Sequence, residues 1–260
     1  MGVKPGYKYG GPPGRGERPF APMGDTWADL SPGLDPEPLR FLYHEPTLRR
    51  HARGALVVGL VSLGSFIGCA LLRSAESNWY EPLPLHLFGT VCGFLTIVAA
   101  ATVVEAYRPL AYLFRNALLT PGVVLPGEPL TIVVLASLGN GRGPEVEGLR
   151  RIVLRSPLPD RDRAPGTRIP VVSTFQRGRG LDRWVTFRST PIAWGTGRDR
   201  EIERCLERLD PTDFKRLEAL VARGVVPEDE DELIILDRNA GRIERVSIRE
   251  ETKRYPPDRG

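Results

Sequence analysis

Two stretches of the chain are apolar at nearly every position, and the rest alternates. From Gly54 to Leu72, GALVVGLVSLGSFIGCALL holds no charged residue, and from Leu85 to Val104, LHLFGTVCGFLTIVAAATVV holds only His86 as an ionisable group. At ~1.5 Å of rise per residue, either run as a helix would cover a ~30 Å hydrocarbon layer. Both are apolar all round, without the polar face that a helix on a protein surface keeps. The pattern predicts a transmembrane hairpin over residues 46–119, with spans at about 54–72 and 85–104 and a juxtamembrane helix after the second span. Arg49, Arg50 and Arg53 precede the first run, Arg108 and Arg115 follow the second, and the connector holds Arg73 against Glu76 and Glu81. Cations gather on the inner side of a membrane, so both termini are expected in the cytoplasm. Trp79 and Tyr80 in the connector suit the headgroup level.

Small residues recur at matched depth in such a hairpin. With its turn near Asn78, Gly68 lies level with Gly89 and Gly64 with Gly93, so two Gly-x-x-x-Gly patches could bring the backbones close. Gly64, Gly68, Gly89 and Gly93 are therefore the candidate helix-packing residues, for pairing within the chain or between two copies.

From Thr120 the periodicity changes to short runs rich in Val, Ile and Thr, punctuated by Gly and Pro, which predicts strands and turns. The candidates are GVVL, LTIVVLASL, LRRIVLRS, TRIPVVSTF and RWVTFRSTPIAW, with turns at GNGRGPEVEG, PLPDRDRAPG and QRGRGLD. Helices are predicted over Asp199–Leu209 and Pro211–Arg223, the second with Asp210 as N-cap and Gly224 past its end. After the acidic PEDEDE, LIILDRNAGRIERVSI reads as a hairpin followed by a polar tail. The fold class expected is α+β: a two-helix transmembrane hairpin, then a small β-barrel or sandwich-like cytosolic domain with C-terminal helices. Residues 1–45, rich in Pro and Gly and without apolar periodicity, are expected to be a disordered tail. The β-rich domain is placed at 120–224, and the acidic linker, hairpin and polar tail at 225–260.

Composition removes several chemistries. His44, His51 and His86 all precede the β-rich part, so that part can supply no histidine base or histidine metal ligand. Cys69, Cys92 and Cys205 form no ligand spacing, and Cys205 lies on the apolar stripe of EIERCLERL as a core residue. The acidic stretch Glu228–Glu232 lacks spaced ligands and the turn glycine of a calcium loop. No catalytic residue, metal or cofactor is expected. The net charge is +4, and Lys occurs only at Lys4, Lys8, Lys215 and Lys253, so the cations are nearly all Arg. They are unevenly placed: Arg142–Arg200 holds 13 Arg against 6 acidic residues, whereas Glu201–Gly260 holds 12 basic and 16 acidic. A basic barrel beside a membrane would attract anionic headgroups. Within it, Arg177, Arg179 and Arg183 of QRGRGLDR flank glycines that free backbone N–H groups, the make-up of an anion or lipid contact.

The block GTRIPVVSTF…RWVTFRSTPIAWGT, Gly166 to Thr196, following the two apolar runs, resembles an uncharacterised bacterial family of two-span membrane proteins whose cytosolic part is a domain of unknown function. The resemblance implies a compact β-rich fold over about 120–223 and carries no site residues. The expected function is a membrane-anchored binding or regulatory module of unknown ligand. The alternative is an enzyme acting on a membrane-associated or phosphorylated substrate without histidine. Expected partners are the bilayer, anionic headgroups, and a protein partner or second copy. A nucleic acid would need Trp184, Phe187 and Trp194 exposed among the arginines, and those positions suit a core.

Overall fold

The computed structural model describes residues 31–44, 46–75, 83–139, 146–156, 158–159, 162–237 and 240–256. They divide into two compact units: Leu42–Leu110, and the chain up to Phe41 together with Ala111 onward.

The Leu42–Leu110 unit is built from α2 (Pro46–Ala75) and the larger part of α3 (Leu83–Asn116), preceded by the end of a short α1 (Pro38–His44). The predicted transmembrane hairpin is corrected here: among the described residues, no helix is long and apolar enough to cross a membrane. A crossing takes ~20 consecutive apolar residues. Within the unit, Ser62, Cys92 and Ala99 are buried, and a Cβ placed on Gly59 would meet the Cβ of Ala99 at 4.0 Å. The connector residues Asn78, Trp79 and Tyr80 lie outside the described residues.

The second unit is one antiparallel sheet, not a separate barrel and hairpin. Its strands are β1 (Leu118–Leu125), β2 (Thr131–Ser137), β3 (Val146–Val153), β4 (Arg168–Arg177), β5 (Trp184–Pro191), β6 (Glu232–Asp237) and β7 (Ile243–Ser247). The order is β5-β4-β1-β2-β3-β6-β7, so the C-terminal hairpin extends the sheet beyond β3. β1 is buried at every position because both of its faces are covered, and period-two patterning therefore vanishes there. It tolerates Pro121, which has no N–H to donate, because β2 pairs with it only from Gly122 onward.

Registers assign the faces. Gly122, Val134 and Arg150 are successive neighbours across β1, β2 and β3, while Phe175 and Phe187 are opposed across β4 and β5. These residues share one face with Ser173 and Ser189. In a flat sheet, β3 and β5 would stand about 19 Å apart, four strand spacings. Here Arg150 of β3 donates through Nη1 to the carbonyl of Phe187 on β5, and a Cβ on Gly148 would come within 3.0 Å of the Phe187 ring. The sheet therefore curls until β5 faces β3, with Phe175 and Phe187 inside. The extension of β2 helps to close the curl: Trp184 N donates to Leu138 O at 2.8 Å, and Gly139 bridges to Arg183.

Three further helices follow β5. The short α4 (Ile192–Gly195) is buried, and α5 (Asp199–Arg208) and α6 (Pro211–Ala222) cover the other face at β4, β1 and β2. Asp210 caps α6 by accepting from Thr212 N at 2.8 Å, Pro211 occupies its first turn, and Gly224 follows at φ +72°. Phe214, Leu217 and Leu220 form its buried stripe, and Ile202 and Cys205 that of α5. Two elements depart from the expected tails. Residues 31–41 form a strap on this unit: Leu34 N donates to Phe114 O, Glu37 N to Gly195 O, and Phe41 packs edge-on against Phe114 with ring centroids 5.0 Å apart. The expected polar tail contains α7 (Ile248–Arg254), capped by the Ser247 hydroxyl accepting from Glu250 N.

Candidate functional site

The two edges of the sheet meet at α7, which packs against both β5 and β7. This seam gathers several buried polar groups. Arg183, just before β5, pairs with Glu251 of α7 at 2.5 Å, with both side chains largely buried. Gly178 lies under the end of α7, where a Cβ would come 2.8 Å from that of Tyr255, and Arg179 N donates to Pro256 O at 3.2 Å. The loop 176–183 is thus a seat for the C-terminal segment. Of the three arginines predicted to contact an anion there, Arg183 is committed to Glu251, while Arg177 and Arg179 are exposed.

A second pair of arginines lies further along the seam. Arg150 reaches the open edge of β5 through its bond to Phe187 O, while its Nε is buried without a hydrogen-bond partner. Burial, then the charge of Arg188, hold the Arg150 guanidinium down to about 10. Arg188 is exposed, and among the described residues neither arginine forms an ion pair. Thr186, on the same face of β5 as Arg188, is buried and its hydroxyl has no partner. Glu230 and Asp231 offset part of the charge at Arg150, but Glu230 accepts from Val153 N, and Asp231 accepts from Ser247 and forms an ion pair with Arg249. Inside the curl, hydroxyls link Thr120 to Ser173 at 2.6 Å and Ser173 to Ser189 at 2.5 Å.

The acidic stretch is a braced turn. Asp229 accepts from Asp231 N and Glu232 N, and Arg245 pairs with Glu232 at 2.9 Å. Among the described residues, no group of His, Cys, Asp and Glu is placed to hold a metal. A cavity of about 40 Å³ beneath α6, lined by Thr120, Ser137, Glu147 and Asp213 among others, has room for a few waters. Its buried Glu147 is paired with Arg216 at 2.8 Å. The carboxylate most plainly shifted downward, Glu218, is held by a hydrogen bond from Arg168 on the outer surface, away from the loop 176–183. Trp184, Phe187 and Trp194 are core residues, at 7 %, 0 % and 6 % exposure.

The packing glycines fall differently from the expected register. A Cβ on Gly64, Gly68 or Gly93 would meet nothing within 4 Å, whereas one on Gly59 would meet Ala99 at 4.0 Å. The surroundings of Gly89 lie outside the described residues. Around them, the sides of α2 and α3 are uncovered: Leu56, Val57, Leu60 and Val61 on the first and Phe94 and Ile97 on the second are each at least 60 % exposed.

A curled antiparallel sheet closed by helices defines an α+β unit with no assigned chemistry. Residues 109–224, which hold β1 to β5 and α4 to α6, match the family described as "Protein of unknown function (DUF3239)". The chain is also similar to a solved structure described as "a putative membrane protein from Corynebacterium diphtheriae", at 21% identity and a TM-score of 0.37, over 40% of this chain and 88% of that one. No curated protein matches the chain.

Proposed function

We propose that the protein is a membrane-attached binding module, in which the Leu42–Leu110 unit holds lipid and the curled sheet offers the binding surface. The observation that carries this is the distribution of exposed apolar side chains. Among the described residues, every exposed large hydrophobic except Tyr112 and Ile243 lies within 42–110. Continuous apolar exposure of this kind marks a surface that water does not cover in the working protein. Lipid suits it better than a protein partner, because Leu56, Val57 and Val58 are consecutive and all exposed, so the apolar surface runs around the helix. A partner groove would need only one face.

Flotation of the full chain with phosphatidylcholine vesicles tests this reading. The protein is expected to float, to resist release by high salt, and to remain in the dense fractions as the Val61→Asp/Phe94→Asp variant. Sedimentation of the unaltered chain apart from lipid would refute it.

A further inference from the structure

We infer that two copies of this chain pair edge to edge through β7, as antiparallel strands centred on Ile243. β7 ends the strand order, and among the described residues no hydrogen bond reaches the backbone of residues 243–245 from its outer side. Asp237 N donates to Arg242 O at 3.0 Å and Ile248 N to Asp231 O at 2.6 Å, so the even-numbered residues of β7 bond inward to β6. Ile243 and Arg245 therefore turn their N–H and C=O groups outward. Such an edge is a template for another strand. The opposite edge of the sheet is partly closed: Trp184 N bonds to Leu138 O, Gly139 bridges to Arg183, and Arg150 donates to Phe187 O.

The side chains single out Ile243 as the contact. It stands opposite the buried Leu236 of β6, yet it is 50% exposed, a state that among the described large hydrophobics of this unit only Tyr112 shares. Arg245 and Ser247, on the same face, are tied back to Glu232 at 2.9 Å and to Asp231 at 2.9 Å. On the other face Arg242 and Glu244 are exposed, and among the described residues neither forms an ion pair.

Charge complementarity selects a second copy, and one register. A two-fold axis normal to the sheet pairs two antiparallel β7 strands about a single residue. Centred on Glu244 or Arg245, it sets a charge directly against its own copy, which is unfavourable. Centred further along, it runs the strand into α7, which begins at Ile248. Centred on Ile243, it sets that side chain against the partner's Ile243 and carries the apolar row of Leu236 across the join. The same register sets Arg242 opposite the partner's Glu244, and Glu244 opposite the partner's Arg242, as the closer, non-hydrogen-bonded pairs. Two opposite-charge pairs thus form by symmetry from residues that pair with nothing in their own chain. This contact belongs to the sheet and does not depend on lipid attachment of 42–110.

Disulfide trapping on the full chain in dodecyl maltoside tests this. In the inferred register the two Ile243 Cα atoms lie about 5.5 Å apart, within the reach of a disulfide. Ile243→Cys, oxidised with copper phenanthroline, should therefore run as a covalent dimer on non-reducing gels, above the background of the unaltered chain with its native cysteines. Arg188→Cys, exposed on the edge strand β5, should not. In the Ile243→Cys background, Arg242→Glu turns both cross-strand pairs repulsive and should weaken dimerisation about tenfold, and adding Glu244→Arg should restore it. These positions are all exposed, so the fold is kept. A trapped dimer no more abundant for Ile243→Cys than for Arg188→Cys, or one that Arg242→Glu leaves unchanged, overturns the pairing. Ile243→Cys that traps as a dimer but fails to float with vesicles supports the pairing and counts against membrane attachment alone.

Discussion

Arg183 and Glu251, 68 positions apart, meet at 2.5 Å with side chains only 16% and 10% exposed, and so tie the start of β5 to α7. A pair this buried costs desolvation on both sides, so losing one member leaves an uncompensated charge. Glu251→Gln or Arg183→Met should destabilise the sheet unit by about 3–5 kcal/mol, whereas Arg183→Met with Glu251→Leu should recover most of the loss. Denaturant unfolding followed by Trp fluorescence reads this, because Trp184 lies beside the pair in sequence and is buried. Equal costs for the single and double variants would show that the pair itself is not what clasps α7.

Arg168 and Glu218 make a contrasting, exposed pair, with Nε to Oε1 at 2.6 Å and Nη2 to Oε2 at 3.0 Å. The hydrogen bond from Arg168, helped by its charge, holds the Glu218 carboxyl below its ordinary 4.5. Its folded value is therefore lower than its unfolded one. The stabilisation is complete above the unfolded value and is lost as pH falls through the folded value, so the loss occurs below about pH 4.5. Solvent screening limits it to under ~1 kcal/mol, the side chains being 44% and 37% exposed. Urea midpoints of the unaltered chain and Glu218→Gln should differ slightly at neutral pH and converge in acid.

Cys205 is fully buried on α5, and burial pushes its thiol pKa up. The thiolate is the reactive form, so native Cys205 should resist alkylation and label only on unfolding. Mass spectrometry after a short iodoacetamide pulse, with and without denaturant, measures this. Fast native labelling would contradict the packing of α5.

Gly195 sits where a Cβ would come 2.3 Å from the ring of Phe114. That ring is fully buried against Phe41 and anchors the strap 31–41. Gly195→Ala should cost about 1–3 kcal/mol and loosen the strap, seen as faster amide exchange at Leu34 and Glu37.

Much of the second unit was legible as runs of Val, Ile and Thr, and α6 was legible from Asp210, Pro211 and Gly224. What could not be read was how the strands join. The beginning of β3 is hidden because Glu147 faces Arg216 and Gly148 has no side chain, yet Gly148 is the point where the curl brings Leu138 and Phe187 together. The place of β6 and β7 at the edge of the same sheet depends on pairing with β3, a contact across some 85 residues that local pattern does not encode. Arg150 is one of two adjacent arginines in the run LRRIVLRS, and only the curl turns it toward β5. α7 did leave a signal: Ser247 followed three residues later by Glu250 has the form of a capping box, obscured by the polar run IREETKR. The strap 31–41 holds few apolar residues, and two of them, Leu34 and Phe41, are fully used. In the other unit the two apolar runs do form helices, and among the described glycines it is Gly59 whose added Cβ would meet the facing helix, at Ala99, because sequence symmetry about a turn does not fix which faces touch.

Spin labels at Val61 and Ile97, both among the most exposed apolar positions, test the central claim most directly when the full chain is reconstituted in phosphatidylcholine bilayers. The account predicts strong relaxation by oxygen and weak relaxation by an aqueous nickel chelate at both sites, with the reverse at exposed Arg188. Labels at Val61 and Ile97 as open to the nickel chelate as the one at Arg188 would contradict it.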